Sequence, residues 1–163
     1  MLSIFSAWAR YFRFSIRTII IHRRYPGYVA NDEDIAREIF SSQCYRADGS
    51  LKLNAFSFDR KRARALSVNR VSLAPQTFFD RLALKHARRR NLTYYGSAHL
   101  TARKIRGIVM DNSWIAEVVG SAKIENPFHA DIPLPPDHGK DYDMAVRAAL
   151  TKSAIFRRAS HAK

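Results

Sequence analysis

The spacing of apolar and polar residues predicts an N-terminal helix followed by a folded domain. Between Leu2 and His22 bulky apolar residues recur every three or four positions, which is typical of an amphipathic helix. The arginines of this segment fall on another side of the helix, and they are Arg10, Arg13, Arg17 and Arg24. We therefore expect residues 1–30 to form a basic amphipathic arm and residues 31–163 to form a single domain.

After this arm the pattern changes between short helices and short strands. Asn31 or Asp32 is expected to begin a helix that runs to about Gln43, because acidic residues in its first turn complement the helix dipole. Residues 51–58 alternate in polarity and predict two strand pieces with a bulge or turn between them. A further short strand is predicted over Ala65–Arg70.

The second half of the chain has clearer helix boundaries. Pro75 suits the first position of a helix that continues to about Asn91, and Thr101 suits the cap of a short basic helix that Gly107 stops. A final helix is expected over residues 141–159. The segments with the pattern of strands span residues 92–100, 108–110, 114–119 and 129–132. This order predicts an α+β fold, with a mainly antiparallel sheet, two or three packed helices and the N-terminal arm.

The composition indicates a folded domain with a large excess of positive charge. The chain has 163 residues, 47% of them hydrophobic, and 28 lysines and arginines against 14 aspartates and glutamates give a net charge of +14. One cysteine, Cys44, excludes an internal disulfide and a cysteine-based zinc cluster. Residues 60–106 hold 13 basic residues and one acidic residue, Asp80. This concentration favours a polyanionic partner, with nucleic acid as the first candidate and an acidic protein as the second.

Three basic clusters in this stretch are the predicted contacts with phosphate groups. They are Arg60, Lys61, Arg62 and Arg64; Arg88, Arg89 and Arg90; and Arg103, Lys104 and Arg106. Taken singly, such a cluster is more typical of a solvated surface or of a helix end, where cations complement the dipole. Tyr94 and Tyr95 lie between two of the clusters and are candidates for stacking on unpaired bases, with packing in the core as the alternative.

Three short segments resemble a group of small uncharacterised bacterial proteins. They are Ala65–Arg70 (Ala-Leu-Ser-Val-Asn-Arg), residues 96–102 (Gly-Ser-Ala-His-Leu-Thr-Ala) and residues 126–132 (Asn-Pro-Phe-His-Ala-Asp-Ile). That group has Leu-Ser-Val-x-Arg and Asn-Pro-x-His-Ala-(Asp/Glu)-Ile motifs, and the resemblance covers about residues 44–155. It implies a bacterial cytoplasmic protein and no particular activity. The basic arm is typical of a helix that packs on its own domain or that binds nucleic acid or an anionic membrane surface. It is also typical of a mitochondrial presequence, which makes the mitochondrial matrix the alternative compartment.

Histidines and carboxylates in the second half of the chain are candidates for chemistry. His129 and Asp131 would point to the same side of a strand, and Asp137 and His138 follow shortly, which gives nitrogen and oxygen donors for a hard or borderline metal. A metal-independent ribonuclease would instead use His129 or His99 as acid and base, because imidazole titrates near neutral pH.

Two arginines and a serine complete the candidate catalytic residues. Arg46 or Arg70 would steady a phosphate group beside the catalytic histidine. The order Arg46, Ser67 and Asp131 resembles the Arg–Ser–acid order of ADP-ribosyltransferases, although the sequence lacks their Ser-Thr-Ser motif. The candidate catalytic residues are therefore Arg46, Ser67, Arg70, His129 and Asp131.

As a whole, the sequence favours a non-enzymatic protein that binds the phosphate backbone of RNA or DNA, as an accessory or subunit of a nucleoprotein complex. The alternatives are a small toxin- or defence-type enzyme that acts on nucleic acid or a nucleotide, and an adaptor for an acidic protein. The N-terminal helix is a candidate contact for a protein partner. No zinc-finger, Walker or dinucleotide-binding pattern occurs, so neither a metal nor a cofactor is expected. No apolar run is long enough for a transmembrane segment.

Overall fold

The computed structural model describes residues 27–57, 65–110, 114–133 and 140–160, which form eight β-strands and three α-helices. The strands are β1 (Asp34–Ile39), β2 (Ala65–Arg70), β3 (Gly96–Thr101), β4 (Val109–Met110), β5 (Trp114–Ile115), β6 (Val119–Gly120), β7 (His129–Pro133) and β8 (Ile155–Arg158). The helices are α1 (Gln76–Arg90), α2 (Ala102–Arg106) and α3 (Lys140–Ser153). The predicted N-terminal helix with its four arginines and the cluster from Arg60 to Arg64 lie outside the described residues.

Six of the strands form one sheet in the order β6-β7-β2-β1-β3-β8, and β4 pairs with β5 in a separate hairpin. Every pair of neighbouring strands is antiparallel. The predicted α+β class, with a mainly antiparallel sheet and packed helices, is confirmed. Within the part of the chain that the structure describes, no helix has the length and apolar character needed to cross a membrane.

The two faces of this sheet differ in polarity. One face carries the main hydrophobic core, which the strands share with α3 and whose fully buried members include Ile35, Ile39, Leu66, Ile132, Val146 and Leu150. On the other face Asn69 of β2 lies opposite His129 of β7. In the same pair of strands Ser67 lies opposite Asp131. Residues opposite each other in antiparallel strands share a face, so polar side chains accumulate there.

Helix α1 covers part of this polar face. It follows Pro75 and ends at Asn91, whose left-handed backbone (φ 52°) donates its N–H back into the last turn. His86, in the C-terminal half of the helix, lies 3.1 Å from a carboxylate oxygen of Glu38 in β1. The predicted boundaries of this helix are confirmed.

The predicted second helix is wrong, because Asp34–Ile39 form β1 between β2 and β3. Ile35 and Ile39 are both buried and four residues apart, a spacing that places them on one face of either a helix or a strand. Glu33, whose charge suggested a helix start, forms a buried ion pair with Arg70 instead. Pairing with β2 and β3 therefore determines the conformation of this segment.

Of two further predictions between these elements, one is wrong and one is right only in part. In place of the strand pieces expected over residues 51–58, Leu51 makes an isolated bridge with Tyr45 and Leu53–Phe56 form a 3-10 turn. The strand expected over residues 92–100 begins only at Gly96, where pairing with β1 begins. The tyrosines at 94 and 95 therefore precede the strand instead of lying in it.

After β3 the chain follows the prediction more closely until its last turn. The Thr101 hydroxyl caps α2 by accepting a hydrogen bond from the Lys104 N–H, and Gly107 follows the helix as predicted. Strand β7 is confirmed, whereas the strand expected over residues 114–119 is two separate short strands, β5 and β6. The final helix ends at Ser153, so its predicted extension is wrong: the following residues form β8 against β3.

Candidate functional site

A groove of about 800 Å³ lies between the polar face of the sheet, the C-terminal half of α1 and residues 122–126. The polar and charged side chains on its walls are Arg37, Glu38, Ser67, Asn69, His86, Arg90, Lys123, Glu125, Asn126 and His129. Ser67 and His129 were predicted as candidate catalytic residues, and the fold brings them to one site. Asp131, predicted with them, joins through hydrogen bonds at its edge.

His129 is held by a chain of polar contacts on this face. Its Nε2 lies 2.7 Å from Lys123 Nζ, and its Nδ1 lies 2.8 Å from Ser121 Oγ. Because an ammonium can only donate, Nε2 accepts from Lys123 and the ring proton belongs on Nδ1. The Ser121 hydroxyl then donates to Asp131 Oδ2 at 2.6 Å, and Ser67 Oγ lies 3.4 Å from the other carboxylate oxygen.

The environment of His129 keeps its ring neutral. Burial lowers the pKa of His129, the positive charge of Lys123 lowers it further, and the carboxylate of Asp131 opposes both effects. A positive charge on His86 also lowers this pKa, which places the two imidazoles within electrostatic reach of each other. At neutral pH His129 is therefore an acceptor at Nε2 and a donor at Nδ1.

A second chain of hydrogen bonds crosses the sheet beside the first. Asn126 Nδ2 donates to Asn69 Oδ1 at 2.6 Å, and Asn69 Nδ2 donates to Glu38 Oε1 at 3.2 Å. The other oxygen of Glu38 accepts from His86 Nδ1 at 3.1 Å. Because a carboxylate can only accept, Nδ1 of His86 donates this hydrogen bond.

Sequence reasoning missed His86, Lys123, Ser121 and Glu38. His86 carries no local signal, since it is one polar residue on a helix and its partner Glu38 lies 48 positions away in the sequence. Glu38 was assigned to the helix that is in fact β1. Asn126 and Lys123, in the loop before β7, acquire a role only through the pairing of β2 with β7.

Two of the candidate catalytic residues, Arg70 and Arg46, lie elsewhere, and so does His99. Arg70 faces the core side of the sheet, where its guanidinium forms two hydrogen bonds of 2.7 Å with Glu33 and is buried. Arg46 donates to Ser50 and to the backbone of its own loop. His99, the alternative to His129 as acid and base, is buried against Ser97 and does not line the groove. Neither arginine lines the groove, so neither is placed to steady a phosphate group beside His129.

Of the four residues considered as metal ligands, the structure describes two, His129 and Asp131. His129 Nδ1 and Asp131 Oδ2 are 3.9 Å apart, whereas Asp137 and His138 lie outside the described residues. Over residues 27–57, 65–110, 114–133 and 140–160, no three histidine, cysteine or acidic side chains stand close enough together to hold a metal ion.

A second cavity, of about 450 Å³, lies on the other side of α1 and is called here the arginine–tyrosine cavity. Its charged and aromatic lining residues are Tyr45, Asp80, Arg88, Tyr94, Tyr95 and Arg158. Arg88, Tyr94 and Tyr95 were predicted as nucleic-acid contacts, and the fold brings them together. Arg158, which was expected near the end of a helix, joins them from β8.

The tyrosines of this cavity differ in exposure. Tyr94 is 7% exposed and packs against Phe40, so the core interpretation is confirmed for this ring; burial raises the pKa of Tyr94 to about 12. Tyr95 is half-buried, with its ring centroid 5.9 Å from that of Tyr45. Tyr45 in turn stacks on Phe156 at 4.6 Å and lies beneath the guanidinium of Arg158 at 5.6 Å.

The third predicted basic cluster lies at the opposite end of β3. Arg90 ends α1 a few residues before β3 begins, whereas Arg103, Lys104 and Arg106 follow its last residue. A six-residue strand spans about 17 Å. Arg106 is engaged by Glu117 at 2.7 Å, which leaves fewer cations at that end for an external partner. Within the described residues, the predicted basic clusters therefore do not form one continuous face.

Comparison of the chain with models of known protein families, with curated proteins and with solved structures gives no match. The features of this protein that suggest a function are therefore the groove, the arginine–tyrosine cavity and the helix α1 between them.

Proposed function

We propose that the protein binds single-stranded nucleic acid through the arginine–tyrosine cavity. One observation carries the proposal: Arg88 of α1 and Arg158 of β8, far apart in the sequence, line the same cavity as three tyrosines. Cations beside aromatic rings match a ligand that has both phosphate groups and flat bases. This role is compatible with an accessory protein or a subunit of a nucleoprotein complex.

The two arginines of the cavity are available for phosphate groups. Arg88 and Arg158 are both exposed, and among the described residues neither forms a salt bridge with a carboxylate. The acidic residue on the wall, Asp80, already accepts hydrogen bonds from Gln76 at 3.0 Å and Tyr94 at 3.5 Å. Each guanidinium group can bind two phosphate oxygens at once, so the two arginines together suit a phosphate ligand.

The aromatic wall favours an unpaired base. Tyr45 and Tyr95 are half-buried, and the cavity of about 450 Å³ is within the size range of small-ligand sites. A base stacked on an aromatic side chain contributes about 1–3 kcal/mol to binding. Bases in a duplex are already stacked and paired, so a single strand reaches these rings at lower cost than a duplex does.

The test is the salt dependence of binding to labelled single-stranded and duplex oligonucleotides of RNA and DNA. The double variant Arg88→Gln/Arg158→Gln is expected to weaken binding and to reduce the slope of log K against log salt by about 0.7 for each lost contact with a single strand. Arg103→Gln is the matched control, since this exposed arginine follows the other end of β3. It should leave the affinity within twofold.

Two results would overturn the proposal. One is the absence of binding to any oligonucleotide at low salt. The other is an equal loss of affinity in the control variant, which would indicate a diffuse response to net charge instead of contacts at the cavity. Binding of an acidic protein without binding of nucleic acid would favour the adaptor interpretation.

A further inference from the structure

The groove contains ionisable side chains that binding of a nucleic-acid strand does not require. Two imidazoles, an ammonium and a carboxylate line this groove. They belong to His86, His129, Lys123 and Glu38. Acid–base chemistry on a phosphodiester requires a base, an acid and a cation that stabilises the charge of the transition state. The groove supplies a group for each of these roles.

We infer that this groove cleaves RNA by transesterification, with His86 as the general base and Lys123 as the general acid. The inference rests on the proposed function, because the strand must be held next to the groove. One helix lines both sites: Arg88 faces the cavity, while His86 and Arg90 face the groove. A strand whose phosphates follow the end of α1 passes from one site into the other.

His86 has the arrangement of a base that is oriented by a carboxylate. Glu38 accepts a hydrogen bond from Nδ1 at 3.1 Å, and Glu38 is itself held by Asn69 at 3.2 Å. With its proton fixed on Nδ1, the ring presents the Nε2 lone pair as the proton acceptor. The side chain is 32% exposed, so solvent and substrate reach it from the groove.

Lys123 has the arrangement of an oriented proton donor. Its ammonium donates one hydrogen bond to His129 Nε2 at 2.7 Å, which leaves its other N–H groups for a phosphate or a leaving group. His129 is in turn held at Nδ1 by Ser121. Arg90, exposed on the same groove, adds a second cation for the phosphate oxygens.

The reaction balances with these groups alone. His86 Nε2 takes the proton of the 2′-hydroxyl, the 2′-oxygen forms a bond to phosphorus, and the bond between phosphorus and the 5′-oxygen breaks. Lys123 gives a proton to the departing 5′-oxygen. The products are a 2′,3′-cyclic phosphate and a 5′-hydroxyl end, and a proton passes from His86 to Lys123 through water to restore both groups. Since the nucleophile is the 2′-hydroxyl, DNA is bound and left intact.

The test compares cleavage of an RNA oligonucleotide with binding of the same sequence as 2′-deoxy strand, in the presence of a metal chelator. We expect products with cyclic phosphate ends. His86→Gln and Lys123→Gln are expected to lower the cleavage rate by about 100-fold or more, the usual contribution of a general acid or base. Lys85→Gln is the matched control, because Lys85 is adjacent to His86 and pairs with Glu125 outside the reaction.

The outcomes separate the two proposals. Binding of the deoxy strand without cleavage of RNA would overturn the catalytic inference and leave the proposed function in place. Cleavage at the same rate in His86→Gln would also overturn it, since it would assign the activity to another site or to a contaminating nuclease. Absence of binding would overturn the proposed function itself.

Discussion

His99 lies on β3 with 4% of its surface exposed, and its Nε2 is 2.8 Å from the hydroxyl of Ser97. Its Nδ1 is buried and has no hydrogen-bond partner among the described residues. Burial, with a smaller effect from Arg157, lowers the pKa of His99 to about 4, while Asp34 and Asp80 oppose the shift. His99 is therefore a neutral side chain buried in the sheet, whereas the side chain of His86 is partly exposed.

The pKa of His99 predicts how the stability of the protein depends on pH. Below about pH 6.5 the unfolded chain binds a proton at this residue and the folded protein does not, so the free energy of unfolding falls as the pH decreases toward 4. The loss from this residue over that range is at most about 3 kcal/mol, because the folded protein begins to bind the proton near pH 4. Urea denaturation at a series of pH values measures it.

The variant His99→Gln provides the control for this prediction. We expect its free energy of unfolding to change less steeply between pH 6.5 and 4 than that of the unchanged protein, whatever its stability at pH 7. His129 contributes in the same direction, because its pKa is also lowered. Equal slopes for the two proteins would contradict the assignment of the pH dependence to His99.

At the residue scale the sequence located part of the groove and missed the rest for a definite reason. Alternation in strands places His129 and Asp131 on one side, and Ser67 joins them through the pairing of β2 with β7. Arg70 is three positions after Ser67 and therefore faces the core, where Glu33 pairs with it. A sequence shows which residues of a strand share a face. It does not show which face is buried or which strands pair.

The element that changed most from the prediction is β8, and Gly96 is what allows it to pair with β3. Gly96 has a φ of +139°, which side chains other than glycine rarely adopt. A Cβ at this position would collide with the backbone carbonyl of Arg157 and with the backbone of Arg158. Close contact between the two strands thus depends on the absence of a side chain.

We therefore predict that Gly96→Ala separates the start of β3 from β8. The backbone strain alone costs about 1–3 kcal/mol, and the collision adds to it, so urea denaturation should show a loss of at least 2 kcal/mol. Hydrogen exchange should become faster at the amides of β8. Gly107→Ala is the control: the nearest atoms to a Cβ there are 3.5 Å away, so its stability should change by less than about 1 kcal/mol. Equal effects of the two substitutions would contradict the account.

Among the helices and strands, those whose ends are marked by residues within or next to the element were predicted correctly. Helix α1 has Pro75 before it and Asn91 after it, and both act within the helix itself. Strands β1 and β8 are specified by their neighbours in the sheet, which come from distant parts of the chain. The hydrophobic spacing of β1 fits a helix as well as a strand, so the acidic residues before it led to the wrong prediction of a helix. The same kind of spacing extended the predicted final helix through β8.

For the molecule as a whole, the net charge of +14 opposes the compact state. The described residues relieve part of this repulsion through pairs at the surface, such as Lys85 and Arg89 around Glu125. Arg88 and Arg158 of the arginine–tyrosine cavity have no such carboxylate partner among the described residues, so their positive charges are not offset. The composition gives the excess of positive charge. That the basic residues lie at the two ends of β3 is known only from the fold.

Salt is therefore expected to stabilise the protein. Raising sodium chloride from low to physiological concentration shortens the screening distance to about 8 Å and weakens repulsion between the basic groups. A gain of 1 kcal/mol would raise the melting temperature by about 2–4 °C for a chain of this size. Scanning calorimetry across a salt series measures the effect. A melting temperature that falls with added salt would indicate that attractive pairs outweigh the repulsion.

The two edge strands of the sheet have a consequence for how copies of the protein behave at high concentration. Strand β6 offers only two residues for pairing, and β8 ends in Arg157 and Arg158, both exposed. A second copy that added its β8 alongside would bring four guanidinium groups together, which opposes such pairing. Copies of the protein at high concentration are therefore expected to stay separate molecules, with their sheets prevented from merging into a fibre.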